Sequence, residues 1–122
     1  MSRVIHFELP ADNPERAVEF YKKSFGWSFQ KWAGPQEYWL VNTGPDSQPG
    51  INGGILRRQH PGASTCNTIG VASLEEAVTT VTKNGGKIGL PKMAIPGVGY
   101  LAYCQDTEGN VFGMLQPDQN AK

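Results

Sequence analysis

The chain has 122 residues, 39% of them apolar and 18% charged, which is enough for one domain whose core needs neither disulfides nor a structural metal. Eleven basic residues balance eleven acidic ones, with no run of like charge; this argues against nucleic acid or an anionic membrane surface as partner. Two cysteines, Cys66 and Cys104, are too few for a disulfide framework. No apolar stretch approaches membrane-spanning length and the N-terminus opens directly on a strand pattern, so the expected setting is the cytoplasm.

In chain order, residues 3–9 alternate, with Ile5, Phe7 and Leu9 on one face and His6 and Glu8 on the other, the pattern of a strand packed on one side. Asn13 suits an N-cap and Pro14 the first helical position. The helix they start carries Ala17, Val18, Phe20, Tyr21 and Phe25 as its apolar set, and Gly26 ends it. Strands are predicted at 27–32 and 38–41, separated by Ala33-Gly34-Pro35. A loop rich in Gly, Pro, Asp and Ser over 43–50 precedes a strand at 53–58.

The order then repeats. Asn67, Ile69 and Val71 form the packed face of a strand, with Cys66, Thr68 and Gly70 opposite. Ser73 and Glu76 make a capping box; the helix stripe is Leu74, Ala77, Val78 and Val81, and Asn84-Gly85-Gly86 closes it. Strands follow at 87–90, 100–105 and 111–116, with residues 91–100 read as a loop entering a strand, able to rim a site.

A shift of 60 residues superposes Ala17-Val18 on Ala77-Val78, Lys23 on Lys83 and Gly26 on Gly86. Near the end of each half, a shift of 59 superposes Gly50-x-x-x-Gly54-x-Leu56 on Gly109-x-x-x-Gly113-x-Leu115. The agreement in order points to a duplication. The expected fold is α+β: two βαβββ halves, about 3–60 and 63–118, with helices outside and polar strand faces turned toward one cup. None of the glycine clusters has the strand-loop-helix setting of a phosphate-binding motif.

The segments Asp12-Asn13-Pro14-Glu15-Arg16-Ala17-Val18-Glu19-Phe20-Tyr21 with Phe25-Gly26-Trp27, Val71-x-x-Leu74-x-x-Ala77 with Gly85-Gly86, and Asp106-Thr107-Glu108-Gly109-Asn110-Val111-Phe112-Gly113 resemble the vicinal oxygen chelate superfamily, the glyoxalase, bleomycin-resistance and extradiol-dioxygenase group. Thr107 stands where that family usually has Pro. The resemblance covers nearly the whole chain, from about Val4 to Gln116. It implies a divalent metal held by one side chain from each of four strands. Carried over by position, those ligands fall on His6, Gly54, Cys66 and Gly113.

Glycine has no side chain to coordinate with, so the resemblance leaves His6 as the one family-type metal ligand, and no cofactor is expected; a divalent metal stays open as the alternative. The two glycines are expected to open space in which a ligand lies close to the sheet. His6 and Glu8 share a strand face and are candidates for acid–base work. Gly54, Cys66, Tyr100 and Gly113 are the candidate ligand-binding positions. Among the other aromatic residues, Trp27, Phe29, Trp32, Tyr38, Trp39 and Tyr103, alternation does not say which are core and which face a ligand.

Three functions stay open. One is a metal-free protein that binds a small, partly apolar molecule; the neutral chain makes a basic drug an unsuitable ligand. The second is a lyase or isomerase related to lactoylglutathione lyase, with a metal or an acid–base pair at His6. The third is a non-catalytic accessory module. By analogy with relatives a homodimer is expected.

Overall fold

A computed structural model describes residues 2–122, which cluster into two compact units, His6–Thr65 and residues 66–122 with 2–5. Strand β1 spans Val4–Ala11 and helix α1 Pro14–Phe25; β2 (Ser28–Lys31), β3 (Tyr38–Asn42) and β4 (Asn52–Arg57) follow. The second set is β5 (Cys66–Gly70), α2 (Leu74–Lys83), β6 (Lys87–Ile95), β7 (Gly99–Gln105) and β8 (Val111–Pro117). Each set is thus β-α-β-β-β, as the repeat predicts.

In the unit His6–Thr65 the strand order is β2-β3-β4-β1, with β1 and β4 parallel and the other pairs antiparallel. The other unit has the order β5-β8-β7-β6, with β5 and β8 parallel. The register repeats as well: Glu8 lies beside Gly54, and Thr68 beside Gly113.

α1 starts where the sequence says it should. The Asn13 side chain accepts a hydrogen bond from the Arg16 N–H at 3.1 Å, and Pro14 takes the first helical position. Gly26 ends the helix in the left-handed region, φ 73°, donating to Lys22 O at 3.0 Å. Val18, Val41 and Ile55 form the core beneath it, packed by Phe7, Ala17, Tyr21, Trp27, Phe29 and Trp39. Two members of the expected stripe lie outside: Phe20 is 58% and Phe25 63% exposed. At about 100° per residue Phe20 points some 200° from Val18, and Phe25 closes the C-terminal end, its ring 5.8 Å from that of Trp27.

The stripe of α2 packs as read, Leu74, Ala77, Val78 and Val81 lying against Ala102, Cys104 and Met114. Ser73 Oγ caps the Glu76 N–H at 3.2 Å, and Gln116 Oε1 accepts from the Leu74 N–H at 2.8 Å, tying the helix start to β8. Thr68, on the face away from α2, is 3% exposed.

Residues 91–95, read from the sequence as loop, belong to β6. Register shifts on both sides of Leu90 let the strand pass through Gly89 and Pro91, and β6 lies at the end of its strand order, where a residue without an N–H is tolerated. Only the turn at 96–98 remains of the expected loop.

The Asp106–Asn110 segment of the family signature is a self-bonded turn. The Asp106 carboxylate accepts from the Glu108 N–H at 2.8 Å, the Asn110 N–H at 2.9 Å and the Asn110 side-chain amide at 3.0 Å. These bonds hold its carboxyl below the ordinary carboxylate range. Gly109 supplies the positive φ, 84°.

Candidate functional site

In the unit His6–Thr65 the register sorts side chains into two faces. Phe7, Leu9, Ile55, Trp39, Val41 and Phe29 pack toward α1. The opposite face is crossed by rows set by strand pairing. His6 sits beside Asn52 and Asn42 beside Ser28; the next row reads Glu8, Gly54, Leu40, Gln30.

Tyr38 occupies this face too and reaches over Gly54. Its hydroxyl donates to Glu8 Oε2 at 2.9 Å and lies 2.7 Å from His6 Nε2. A phenol has one proton, so with that proton on Glu8 the hydroxyl accepts from His6, which fixes the Nε2–H tautomer and leaves the lone pair on Nδ1. Burial pushes the His6 pKa below 6.5, against a smaller opposing pull from Glu8. His6 is therefore neutral at pH 7. Glu8 is only 9% exposed.

The glycine positions do not open space. A Cβ on Gly54 would stand 2.0 Å from the Tyr38 hydroxyl oxygen and 2.1 Å from Cζ, so the missing side chain is the space the phenol fills. Gly113 is crowded more mildly: a Cβ there would meet Thr68 Oγ1 at 3.2 Å, Tyr103 Cε1 at 3.4 Å and Leu101 Cδ1 at 3.5 Å. Both expectations of an opened centre are corrected: neighbours, not voids, take the room.

Cys66 is buried at 8% exposure, its Sγ 3.6 Å from Asn67 O, and its unit contains neither histidine. Tyr100 packs with the core under α2, Lys92 Nζ lying 4.5 Å from its ring centre. Its place on the ligand face is corrected accordingly; Tyr103, paired with Gly113 in the register, has that face. Among the described residues no three His, Cys, Asp or Glu side chains converge as a metal site would need. Of the two family ligand positions in the unit His6–Thr65, Gly54 has no side chain, while His6 contacts the Tyr38 hydroxyl through Nε2 and keeps Nδ1.

Beside His6 lies an open pocket of about 510 Å³. Its lining from this face is His6, Ser28, Gln30, Asn42, Asn52 and the apolar Leu40, with Phe29, Val41 and Gly53 between them in the strands. The Asn52 side-chain oxygen accepts from the Thr43 N–H at 3.0 Å, and that of Asn42 from the Gly44 N–H at 3.0 Å. These bonds orient both amides. The sequence pattern does not single out Tyr38, Asn42, Asn52, Ser28 and Gln30 as site residues. Alternation within 38–42 places Tyr38, Leu40 and Asn42 together; what it lacks is the pairing that brings them to His6.

Comparison with known proteins agrees with this architecture. Residues 3–44 match the family model described as bleomycin resistance protein-like N-terminal. A glyoxylase-like domain-containing protein from Didymella fabae is 33% identical over 108 residues, covering 84% of each chain. The chain belongs to the glyoxalase-like proteins of the vicinal oxygen chelate superfamily. Among solved structures it shares its fold with methylmalonyl-CoA epimerase from Mycobacterium tuberculosis, at 9% identity, TM-score 0.73, and 94% and 87% coverage of the two chains. The Streptomyces coelicolor epimerase in complex with 2-nitronate-propionyl-CoA gives 12% identity, TM-score 0.74, and 100% and 99% coverage. Among the described residues no helix is long and apolar enough to cross a membrane.

Proposed function

We propose that this glyoxalase-like protein binds a small, partly apolar molecule in the pocket beside His6, without the family's four-ligand metal. The observation that carries the reading is the Tyr38 phenol. It fills the Gly54 position, where the family's other ligand of this unit would stand, and engages both His6 and Glu8. The pocket volume, about 510 Å³, falls in the range of small-molecule sites, roughly 300–1,000 Å³. Its mixed lining supports a ligand with one apolar surface and a few polar atoms.

The test combines metal analysis with binding. Purified protein is expected to carry no stoichiometric metal, to keep its Tm after dialysis against a chelator, and to gain Tm with small molecules that perturb pocket resonances. One equivalent of Zn, Ni, Mn or Fe whose removal lowers the Tm would overturn the reading. No stabilisation across a broad metabolite set would favour the accessory module instead.

The His6–Tyr38–Glu8 hydrogen bonds favour a second reading, metal-free proton transfer by a lyase or isomerase. A neutral His6 whose Nε2–H is anchored presents Nδ1 as a base. Here the protein would exchange carbon-bound protons of a carbonyl compound with D2O, and His6→Asn would abolish the exchange.

A further inference from the structure

We infer that the pocket beside His6 is built for an uncharged molecule presenting a cis-amide edge, a lactam or carboxamide, in preference to a carboxylate or phosphate. This deepens the reading above and rests on it.

The donor and acceptor pattern is fixed by bonds on the far side of each side chain. Thr43 and Gly44 each direct a backbone N–H at an asparagine oxygen. An N–H can bond only the oxygen of a side-chain amide, so the NH2 groups of Asn42 and Asn52 are the ends left to the pocket. His6 is fixed in the opposite sense: its Nε2–H is given to Tyr38, and Nδ1 can only accept. The pocket therefore presents an acceptor on β1 beside a donor on β4, at paired positions on strands about 4.8 Å apart.

A cis-amide carries N–H and C=O side by side in one plane. Its N–H meets His6 Nδ1 while its C=O takes the NH2 of Asn52 or Asn42. A carboxylate offers two acceptors and leaves Nδ1 facing an oxygen. The lining of this pocket also supplies no Lys or Arg, so an anion would lose hydration without gaining a countercharge. Leu40, 41% exposed between Gln30 and Gly54 in its row, is the apolar surface for a flat ring.

The experiment uses the full chain labelled with 15N and three probes: isoindolin-1-one, its N-methyl derivative, and benzoate. Isoindolin-1-one is expected to shift the amide resonances of Ser28, Gln30, Leu40, Asn42 and Asn52. N-methylation is expected to weaken binding at least fivefold, and benzoate to bind at least tenfold more weakly than the lactam. Asn52→Asp keeps the oxygen that Thr43 needs but removes the NH2, and should weaken the lactam at least fivefold with the Tm unchanged. If benzoate binds as well as the lactam, or the N-methyl derivative matches it, the amide preference is overturned while small-molecule binding stands. If neither these probes nor a panel of neutral fragments moves the pocket resonances, the binding function itself is overturned.

Discussion

Gly54→Ala should be far more costly than its single methyl suggests. Its Cβ would stand 2.0 Å from the Tyr38 hydroxyl oxygen and 2.4 Å from Cε1, inside any van der Waals contact, and backbone β4 cannot shift without leaving its pairs with both β1 and β3. The phenol must leave, breaking the bonds to His6 and Glu8. A neutral hydrogen bond contributes about 0.5–1.5 kcal/mol and one to a charged group about 1.5–3, so the loss is roughly 2–4 kcal/mol. At roughly 4 °C per kcal/mol for a chain of this size, the Tm falls by about 8–16 °C. In a Tyr38→Ala background the same methyl meets no ring and should cost less than about 1 kcal/mol. Equilibrium unfolding in urea of the four proteins closes the cycle. Costs that add to within about 0.5 kcal/mol would refute the claim that Tyr38 fills the Gly54 position.

Three further outcomes follow from the same geometry. Gly113→Ala, whose nearest contact is 3.2 Å to the Thr68 hydroxyl, should cost less than about 1 kcal/mol in urea unfolding, because a slight rotation of Thr68 relieves it. His6 has its pKa depressed in the fold, so its contribution is complete above about pH 6.5 and declines as pH falls below that, since the unfolded chain then binds the proton first. The Tm should drop more steeply between pH 6.5 and 5 in the wild type than in His6→Asn, and equal slopes would count against it. Asp106→Ala removes the acceptor of three hydrogen bonds in the β7–β8 turn and should lower the Tm; an unchanged Tm would mean that the turn holds by its backbone bonds and Gly109.

Most of the fold is legible in the sequence because its signals are local. Asn13, Pro14, Gly26 and Ser73 mark helix ends by backbone chemistry that needs no partner, and the glycine-spaced repeat carries the order of strands. Where the structure departs from the sequence pattern, a distant neighbour decides. Residues 91–95 are strand because β7 pairs with them through two register shifts, which Pro91 and Gly89 conceal. The role of Gly54 depends on Tyr38, 16 positions away in the chain and diagonal to it in the sheet. An absent side chain reads as a void from sequence, and only the pairing of strands shows what fills it. Tyr100 and Tyr103 stand on opposite faces by their spacing, but only the packing of Tyr100 under α2 shows which of them is core.

The bulged strand β6 bears on self-association. A terminal strand normally offers a row of unsatisfied N–H and C=O groups on which another chain can build. In β6 that row is interrupted: Pro91 has no N–H, the register shifts on both sides of Leu90, and Lys87 and Lys92 bring charge to the strand. Continuous growth of a sheet from this margin, and with it fibre-like aggregation, is disfavoured by the backbone itself. Any homodimer is thereby steered toward side-chain surfaces and away from main-chain zippering along β6.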